Sequence, residues 1–533
     1  QPDLYPLPPL AWLQCHQQYF AKTLSQWDLY CKKPPLPDRR LLQKLHGMGR
    51  GTRLQPPYHE LDNYIRLTNW WWTFWLLLHA EEMTADRCVV LLARSLKLFD
   101  FVAARGIREH KHNFTAMQME ALYLWAAALP EFQGMPVWRT FARNTAEAAI
   151  ARAVFPDGVH WEKSLGYHAG CIRWYGTPYL FGRRIGDHWA EEYGDYLRNM
   201  GVFLDFVITP DGHIPLLSDS DRSRGWQGPL SLLNALFPDL TFRHPVHPTY
   251  FSLWRTDGMT WDTAQSAPDT GESVQSRVFP HGGVGVATAA APDKECGSQV
   301  ILDNGPTDAG HSHFDNLTVH YEAFGRPVLV DPGRAVYKKD ADRSWVLSPY
   351  AHNTVTMNDT DCDYGEVISE HAFCTMMPGD ARTGPVSAES ADTMVIFRSR
   401  FQGFAADSSA AVERTVAFAA AATEPWLAVV DVISGTTAHN WVSSWLLPAS
   451  SGAAPREHGL QLTLDNRLHV GVSWAASDCP LAFTERERFW FPSYNEKEPA
   501  EQLQFSATCR SQTRAFLFLP GHEPVTPPQV RLV

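Results

Sequence analysis

In the first half of the chain, apolar residues come in Ala- and Leu-rich blocks, the composition of helices. Residues 119–129 (MEALYLWAAAL) and 145–154 (TAEAAIARAV) are such blocks, and each runs out at a proline, Pro130 and Pro156. Segments 87–104 and 196–207 repeat the pattern, with short turns such as PDG at 156–158 and 210–212. The densest apolar run, 70–78 (WWWTFWLLL), reads as a buried helix. Helices of similar length joined by short turns predict stacked helical hairpins, without a residue-level repeat that would mark a solenoid.

The texture changes after about residue 255. Residues 265–276 (QSAPDTGESVQS) form a polar linker containing Pro, Gly and Ser. Beyond it, short runs rich in Val, Thr and aromatics follow: GVGVATAA, LTVHYEAF, PVLVD, NTVTMND, TMVIFRSRF, WLAVVDVI, LHVGVSW and RAFLFL. Gly, Pro, Asn or Asp interrupts them every 8–15 residues, which predicts antiparallel sheet packed as a sandwich. The expected organisation is an all-α domain over 1–260 and an all-β domain over 261–533.

Composition narrows the function. A chain of 533 residues exceeds one ordinary core, in keeping with two domains. A formal net charge of −12 argues against a nucleic-acid partner, which calls for a basic face, but permits a locally basic cleft for an acidic ligand. No segment reaches the roughly 20 apolar residues of a membrane span. The 20 Trp and 17 Tyr suit a sugar-binding cleft and a large core equally. Nine cysteines show neither CxxC nor paired spacing. The chain starts at Gln1 rather than Met, as after removal of a signal peptide or where a sequence is cut at an arbitrary boundary, while the odd cysteine count leans away from an oxidising compartment. The compartment stays open between a periplasmic or secreted location and the cytoplasm, and a monomer or homodimer is expected.

The chemistry concentrates in GHSHFDN, 310–316. His311 and His313 alternate by two, so on a strand they face the same side. Asp331 in VLVDPG and His352 in YAHNTV lie at the edges of nearby strand-like runs. Two imidazoles from this set and one carboxylate would make a three-ligand zinc site with one position left for water. Isolated His and Asp at strand ends also serve as ordinary hydrogen-bonded turn residues, and spacing alone does not choose. A metallohydrolase of the His-x-His-x-Asp-His type wants a further histidine where this chain has Asn316, and alternating α and β where this chain is all β.

The stretch GHSHFDNLTVHYEAFGRPVLVDPG, followed by RSWVLSPYAHNTVTMND, resembles the signature region of the heparinase II/III-like polysaccharide lyases. A second match lies upstream, in HNFTAMQMEALYLWAAALPEF, VWR and FPDGVHWEKSLGYH. The resemblance implies an incomplete (α/α) toroid followed by an antiparallel β-sandwich, acting on a uronate-containing polysaccharide by β-elimination. That reaction removes a weakly acidic proton beside a carboxylate, so it needs a neutraliser for the carboxylate, a base at C5 and an acid at O4. By resemblance Asn113, helped by His112, is the neutraliser. Tyr167 is the base and acid, with a phenol expected to have its pKa lowered by nearby cations. His311 assists, and Tyr337 stands where some members keep a second tyrosine. His313, Asp331 and His352 match the ligands of one divalent metal, expected to be zinc and structural. Asn113 equally fits an N-cap for the helix that follows.

Further candidates flank these residues. Arg105 and Lys111, in RGIREHKHN, are placed to attract a polyanion, or simply form a solvated helix face. DSDRSR could place Arg222 or Arg224 near the cleft as a second substrate-binding candidate, against an ordinary loop ion pair. Glu162 and His168 flank Tyr167 and are expected to orient it or to touch substrate, or else simply to satisfy a turn. Phe314 and Asn316 are bulkier than the resemblance leads one to expect and are read as narrowing the site. A uronate C5-epimerase and a non-catalytic glycan-binding protein are the competing readings.

Overall fold

The computed structural model describes residues 60–81, 83–104, 112–249, 252, 274–289, 297–306, 311–338, 340–357, 383–391, 393–402, 404, 407, 409–421, 424–464 and 468–532. Seven helices come first among them: α1 Glu60–Leu77, α2 Ala85–Ala104, α3 Asn113–Ala128, α4 Met135–Ala153, α5 Leu165–Arg184, α6 Glu191–Val207 and α7 Gln227–Leu236. The block 119–129 lies in α3, which is buried almost throughout, and 70–78 falls largely in α1. Indoles lock these two helices together: Trp71 Nε1 donates to the Leu124 carbonyl and Trp125 Nε1 to the Leu67 carbonyl, both at 2.9 Å. The cap of α3 is His112 rather than Asn113. The His112 Nδ1 accepts the Phe114 amide at 3.2 Å, while Asn113 is already helical and fully buried. An imidazole can satisfy an orphan N–H as a hydroxyl or carboxylate does.

Fifteen strands follow among the described residues. β1 Val274–Phe279, β2 Val284–Ala289, β3 Ser298–Asp303, β4 Thr318–Ala323 and β5 Arg326–Leu329 form one antiparallel sheet in that order. The second sheet holds β6 Val355–Met357, β7 Ser387–Ala391, β8 Met394–Phe401, β9 Ala411–Ala421, β10 Glu424–Pro448, β11 Ser450–Arg456, β12 Gly459–Leu464, β13 Leu468–Ala476, β14 Ala482–Ser493 and β15 Glu496–Gly521. A single core joins the inner faces, with Val300, Leu302, Val319 and Tyr321 of the smaller sheet meeting Phe397, Phe418, Trp445 and Phe516 of the larger. This is a sandwich. A short helix, α8 Ala341–Leu347, sits in the connection after β5.

Two expectations need correction. The linker assigned to 265–276 ends early, because Val274 already pairs with Ala289 as β1. Interruption every 8–15 residues also fails for β10 and β15, which span 25 and 26 residues. A register shift between Ser434 and His439 lets the pair run past Gly435 without ending, as a β-bulge does.

The described residues group into two compact units. One takes the helices up to Arg152 together with 177–190; the other takes 153–176 and everything from Glu191 onward. In the second unit, the buried pair Arg414–Asp431 joins directly opposed positions of β9 and β10, with bonds of 2.7 and 2.8 Å. Arg414 Nη1 also donates to the carbonyls of Leu317 and Asn353, at 2.6 and 2.7 Å. One guanidinium thereby fixes both the segment after GHSHFDN and the AHNT box. Truncating Arg414 to Ala would leave Asp431 charged and buried and two carbonyls unmet. We expect a loss of roughly 3–5 kcal/mol in denaturant unfolding, and a loss below about 1 kcal/mol would remove the pair from its anchoring role.

Candidate active site

Residues 154–164 form a tight loop between α4 and α5, closed by a bridge between Val154 and His160. Lys163 adopts φ +58°, an uncommon conformation for a residue with a side chain, and is held there by its burial. Its ammonium reaches Asp303 at the end of β3, 2.6 Å away. The Ser164 hydroxyl donates to the Asp219 carbonyl at 2.6 Å, and the Leu165 amide donates to the Ser220 hydroxyl at 2.9 Å. These bonds set the first turn of α5 and with it Tyr167.

The GHSHFDN segment is not a strand. Residues 311–317 are turn and bend, Leu317 has φ +64°, and β4 begins only at Thr318. The expectation that His311 and His313 share a strand face therefore falls, and the two rings take separate surroundings. His311 stacks on Tyr167 with ring centroids 3.8 Å apart at 21°. Its Nδ1 donates to Glu162 Oε2 at 3.0 Å, since a carboxylate only accepts. The Tyr167 hydroxyl lies 3.1 Å from that of Tyr337, whose ring is 47% exposed. Arg334 stands nearby, paired with Asp221 through Nε at 2.8 Å. It follows Gly333, whose φ of +73° and approach to the Phe491 carbonyl leave no room for a Cβ.

Burial pushes the Tyr167 phenol above its ordinary pKa, and Asp219 and Glu162 add to this. The Tyr337 hydroxyl and Arg334 act in the opposite sense and are outweighed. The expected lowering by cations is thus reversed: desolvation disfavours phenolate more than one guanidinium, itself neutralised by Asp221, favours it. Tyr337 shifts the same way for the same first reason.

His313 sits in a second, fully buried cluster. One donor atom from each of His313, Asp331 and His352 lies within 4.8 Å of the others. His313 Nε2 donates to Asp219 at 2.9 Å, so its Nδ1 is the atom left to bind. His352 is flanked by acceptors on both nitrogens, Asp331 Oδ2 at 2.9 Å and the Val346 carbonyl at 3.1 Å. Burial opposes a charged ring there, yet the Asp331 carboxylate overrides it and raises the His352 pKa. Such a ring either carries two protons or shares a cation with its neighbours. Two imidazoles with outer N–H groups engaged, plus one carboxylate, fit a divalent metal of the zinc type. Asp219 also takes a bidentate ion pair from Arg343 and donates its amide to the His311 carbonyl at 3.1 Å. Burial alone would raise the Asp219 pKa, but bonds from His313 and Arg343 prevail and hold it at about 2.

Comparison with known proteins agrees with this architecture. Residues 14–240 match the heparinase II/III N-terminus and residues 272–532 match the heparinase II/III-like C-terminal region. The chain belongs to the heparinase II/III-like family. A heparin-sulfate lyase of Pedobacter heparinus is 22% identical over 293 residues, covering 54% of this chain and 42% of that one. One from Bacteroides stercoris is 24% identical over 275 residues, covering 50% and 38%. The aligned regions therefore span less than half of these relatives' own length. A solved structure of a heparan sulfate lyase mutant from Pedobacter heparinus superposes with a TM-score of 0.70 at 17% identity, covering 100% of this chain and 80% of that one. A solved heparinase III gives 0.68 at 18%, covering 96% and 75%. The fold class read from sequence, a helical toroid region followed by an antiparallel β-sandwich, is shown by these likenesses.

In this family member the second unit brings together Tyr167, His311, Tyr337 and Glu162, with His313, Asp331 and His352 in their own cluster. Asn113 and His112 belong to the first unit. Arg105 and Lys111 lie outside the described residues. His168 does not join the group: it is 1% exposed, bonds the Met200 carbonyl at 3.0 Å, and burial lowers its pKa to about 3. Arg222 turns away to Asp211 and Glu322, at 2.8 and 3.0 Å. Asn316 is buried framework, donating to the Gly305 carbonyl at 3.0 Å, rather than a wall that narrows the site. Sequence reasoning missed Asp219, Arg334 and Arg343. The only local signal was an acidic and basic alternation in DSDRSR and the Arg after the glycine in VDPGR.

The reversed phenol shift is directly measurable. The difference titration between the parent protein and Tyr167→Phe should place one phenolate absorbance above the ordinary value of about 10. Phenolate forming below that value would restore the cation-lowered reading.

Proposed function

We propose that this protein is a polysaccharide lyase acting on a uronate-containing glycan of the glycosaminoglycan class by β-elimination. The observation that supports it most is the Tyr167–His311 stack at 3.8 Å, with Glu162 fixing the imidazole tautomer. When Nδ1–H is committed to Glu162, Nε2 becomes the ring's acceptor and a suitable base for the C5 proton. The phenol, kept protonated by its raised pKa, is the matching acid for the leaving O4. In that step the C5–H bond breaks toward the base, the electron pair forms the C4–C5 double bond, and the C4–O4 bond breaks as oxygen takes a proton. The family resemblance assigns neutralisation of the substrate carboxylate to Asn113 and His112.

Replacing Tyr167 by Phe should lower turnover by about 10²–10⁴-fold, read as ultraviolet absorbance of the unsaturated product, with glycan binding kept. Undiminished turnover in that variant would sink the assignment. A parent protein that inverts C5 without forming the unsaturated product would instead be an epimerase, and one that binds without either change a glycan-binding protein.

We further propose zinc at His313, Asp331 and His352, where it would supply fixed positive charge that holds three loop ends together. Elemental analysis should find about one equivalent per chain, reduced in His313→Ala. Chelation should lower the melting temperature of the parent and leave that of His313→Ala unchanged. Metal-free protein with the melting temperature of the parent would leave His352 as a buried imidazolium instead.

A further inference from the structure

The segment DSDRSRG at 219–225 divides its side chains between a cavity and the packed interior. Asp219, Asp221, Ser223 and Gly225 border a cavity of about 660 Å³, and Arg224 lines it as well, while Arg222 is spent on Asp211 and Glu322. The opposite wall is the face of α5 carrying Tyr167, Gly170 and Trp174, residues three and four apart and therefore aligned along the helix. Seven residues of helix rise about 10 Å, so the cavity leads from the proposed acid toward space for a neighbouring ring. Its volume falls among ordinary ligand sites. At Gly170 a Cβ would stand 2.8 Å from the Trp174 ring, so glycine lets the indole fold back against the helix and keeps this wall low.

The charges on the walls are unequal in availability. Asp219 is engaged by His313 and Arg343, and Asp221 by Arg334. Arg224 is exposed, gives one bond to the Asp211 carbonyl at 3.0 Å, and meets no carboxylate in an ion pair among the described residues. Arg173 brings a second guanidinium, 5.3 Å above the Trp174 ring. Gln227 and Thr249 add neutral hydrogen-bonding groups. A neutral sugar needs no cation here; an anionic substituent does.

We propose that this cavity receives the sugar next to the reacting uronate and that Arg224, seconded by Arg173, selects for an anionic substituent on it, a sulfate or a carboxylate. The proposal rests on the lyase reading. Three glycans separate its parts: one alternating uronate with an unsulfated, neutral amino sugar, its sulfated counterpart, and a polyuronate. Losing a charge-assisted contact should cost roughly tenfold or more. Arg224→Ala should raise KM by that factor on whichever anionic-neighbour glycan the site prefers, with Arg224→Lys intermediate. The KM ratio between that glycan and the neutral-neighbour one should fall toward one, and the arm that moves names sulfate or carboxylate. Equal KM changes on all three glycans, or none, would overturn the subsite. Calorimetry of the same oligosaccharides with Tyr167→Phe, with and without Arg224→Ala, reads the same preference without turnover. A parent protein that cleaves none of the three loses the lyase reading, and the calorimetry then decides the subsite by itself: anion preference lost with Arg224 supports it, and no preference removes it.

Discussion

Asp219 is the constraint on which the rest of the site depends. Its carboxylate joins His313 to Arg343, its amide holds the His311 backbone, and its carbonyl takes the Ser164 hydroxyl just before Tyr167. One residue thus touches the metal-type cluster, the stacked histidine and the loop that launches α5. A buried carboxylate keeps its charge where hydrogen-bond donors and a cation offset the loss of water. Asp219 has both, three donated bonds and the Arg343 guanidinium, which is why it stays ionised at 1% exposure. Arg343 in turn lies under the Tyr337 ring, with its guanidinium carbon 5.1 Å from the centroid, so the chain of contacts returns to the Tyr167 hydroxyl. The two histidines of HSH do different work and are still positioned by the same carboxylate.

The loops that carry these side chains are irregular, and irregular backbone needs an external frame. That frame is the sandwich. Arg414 binds carbonyls on either side of the site. The Asn353 amide donates to the Val319 and Val330 carbonyls and its oxygen accepts the Leu446 amide, at 2.8, 2.9 and 2.6 Å. The Thr354 hydroxyl reaches the Asn316 carbonyl at 2.6 Å. In the sequence AHNT, His352 joins the cluster with His313 and Asp331, and Asn353 and Thr354 hold the backbone that aims it. Positive φ at Lys163 and Leu317 is strain that such over-determined surroundings can maintain.

What was legible in the sequence follows from the range of the interactions involved. The helix blocks were readable because Ala- and Leu-rich runs ended at prolines, both local signals. Strand β9 was not, since AVERTVAFAAA carries the alanine of a helix and becomes a strand only by pairing with β8 and β10. Asp219 was invisible for a stronger reason: its partners stand 94 and 124 positions away, and nothing in DSDRSR distinguishes a hub from a surface loop. Sequence offered Arg222 and Arg224 alike, and only their partners in the fold separate them: Arg222 is taken by Asp211 and Glu322, while Arg224 stays exposed. The split of His311 from His313 came from resemblance. Spacing by itself predicted the opposite, on a strand that does not form.

The direction of the Tyr167 shift orders the proton steps of the proposed lyase. A phenol lowered by cations would begin the cycle as a base and finish it as an acid, leaving the imidazole a supporting part. A phenol raised by burial begins protonated, and closure around a carboxylate-bearing substrate would strengthen that preference, because a second anion nearby disfavours phenolate further. The first proton must then go elsewhere. His311 is the neighbour with a nitrogen left as acceptor by its bond to Glu162, and the stacked geometry keeps it within one ring thickness of the phenol. Glu162 thus does more than hold a ring in place: the carboxylate that fixes the tautomer also stabilises the imidazolium formed when the proton arrives.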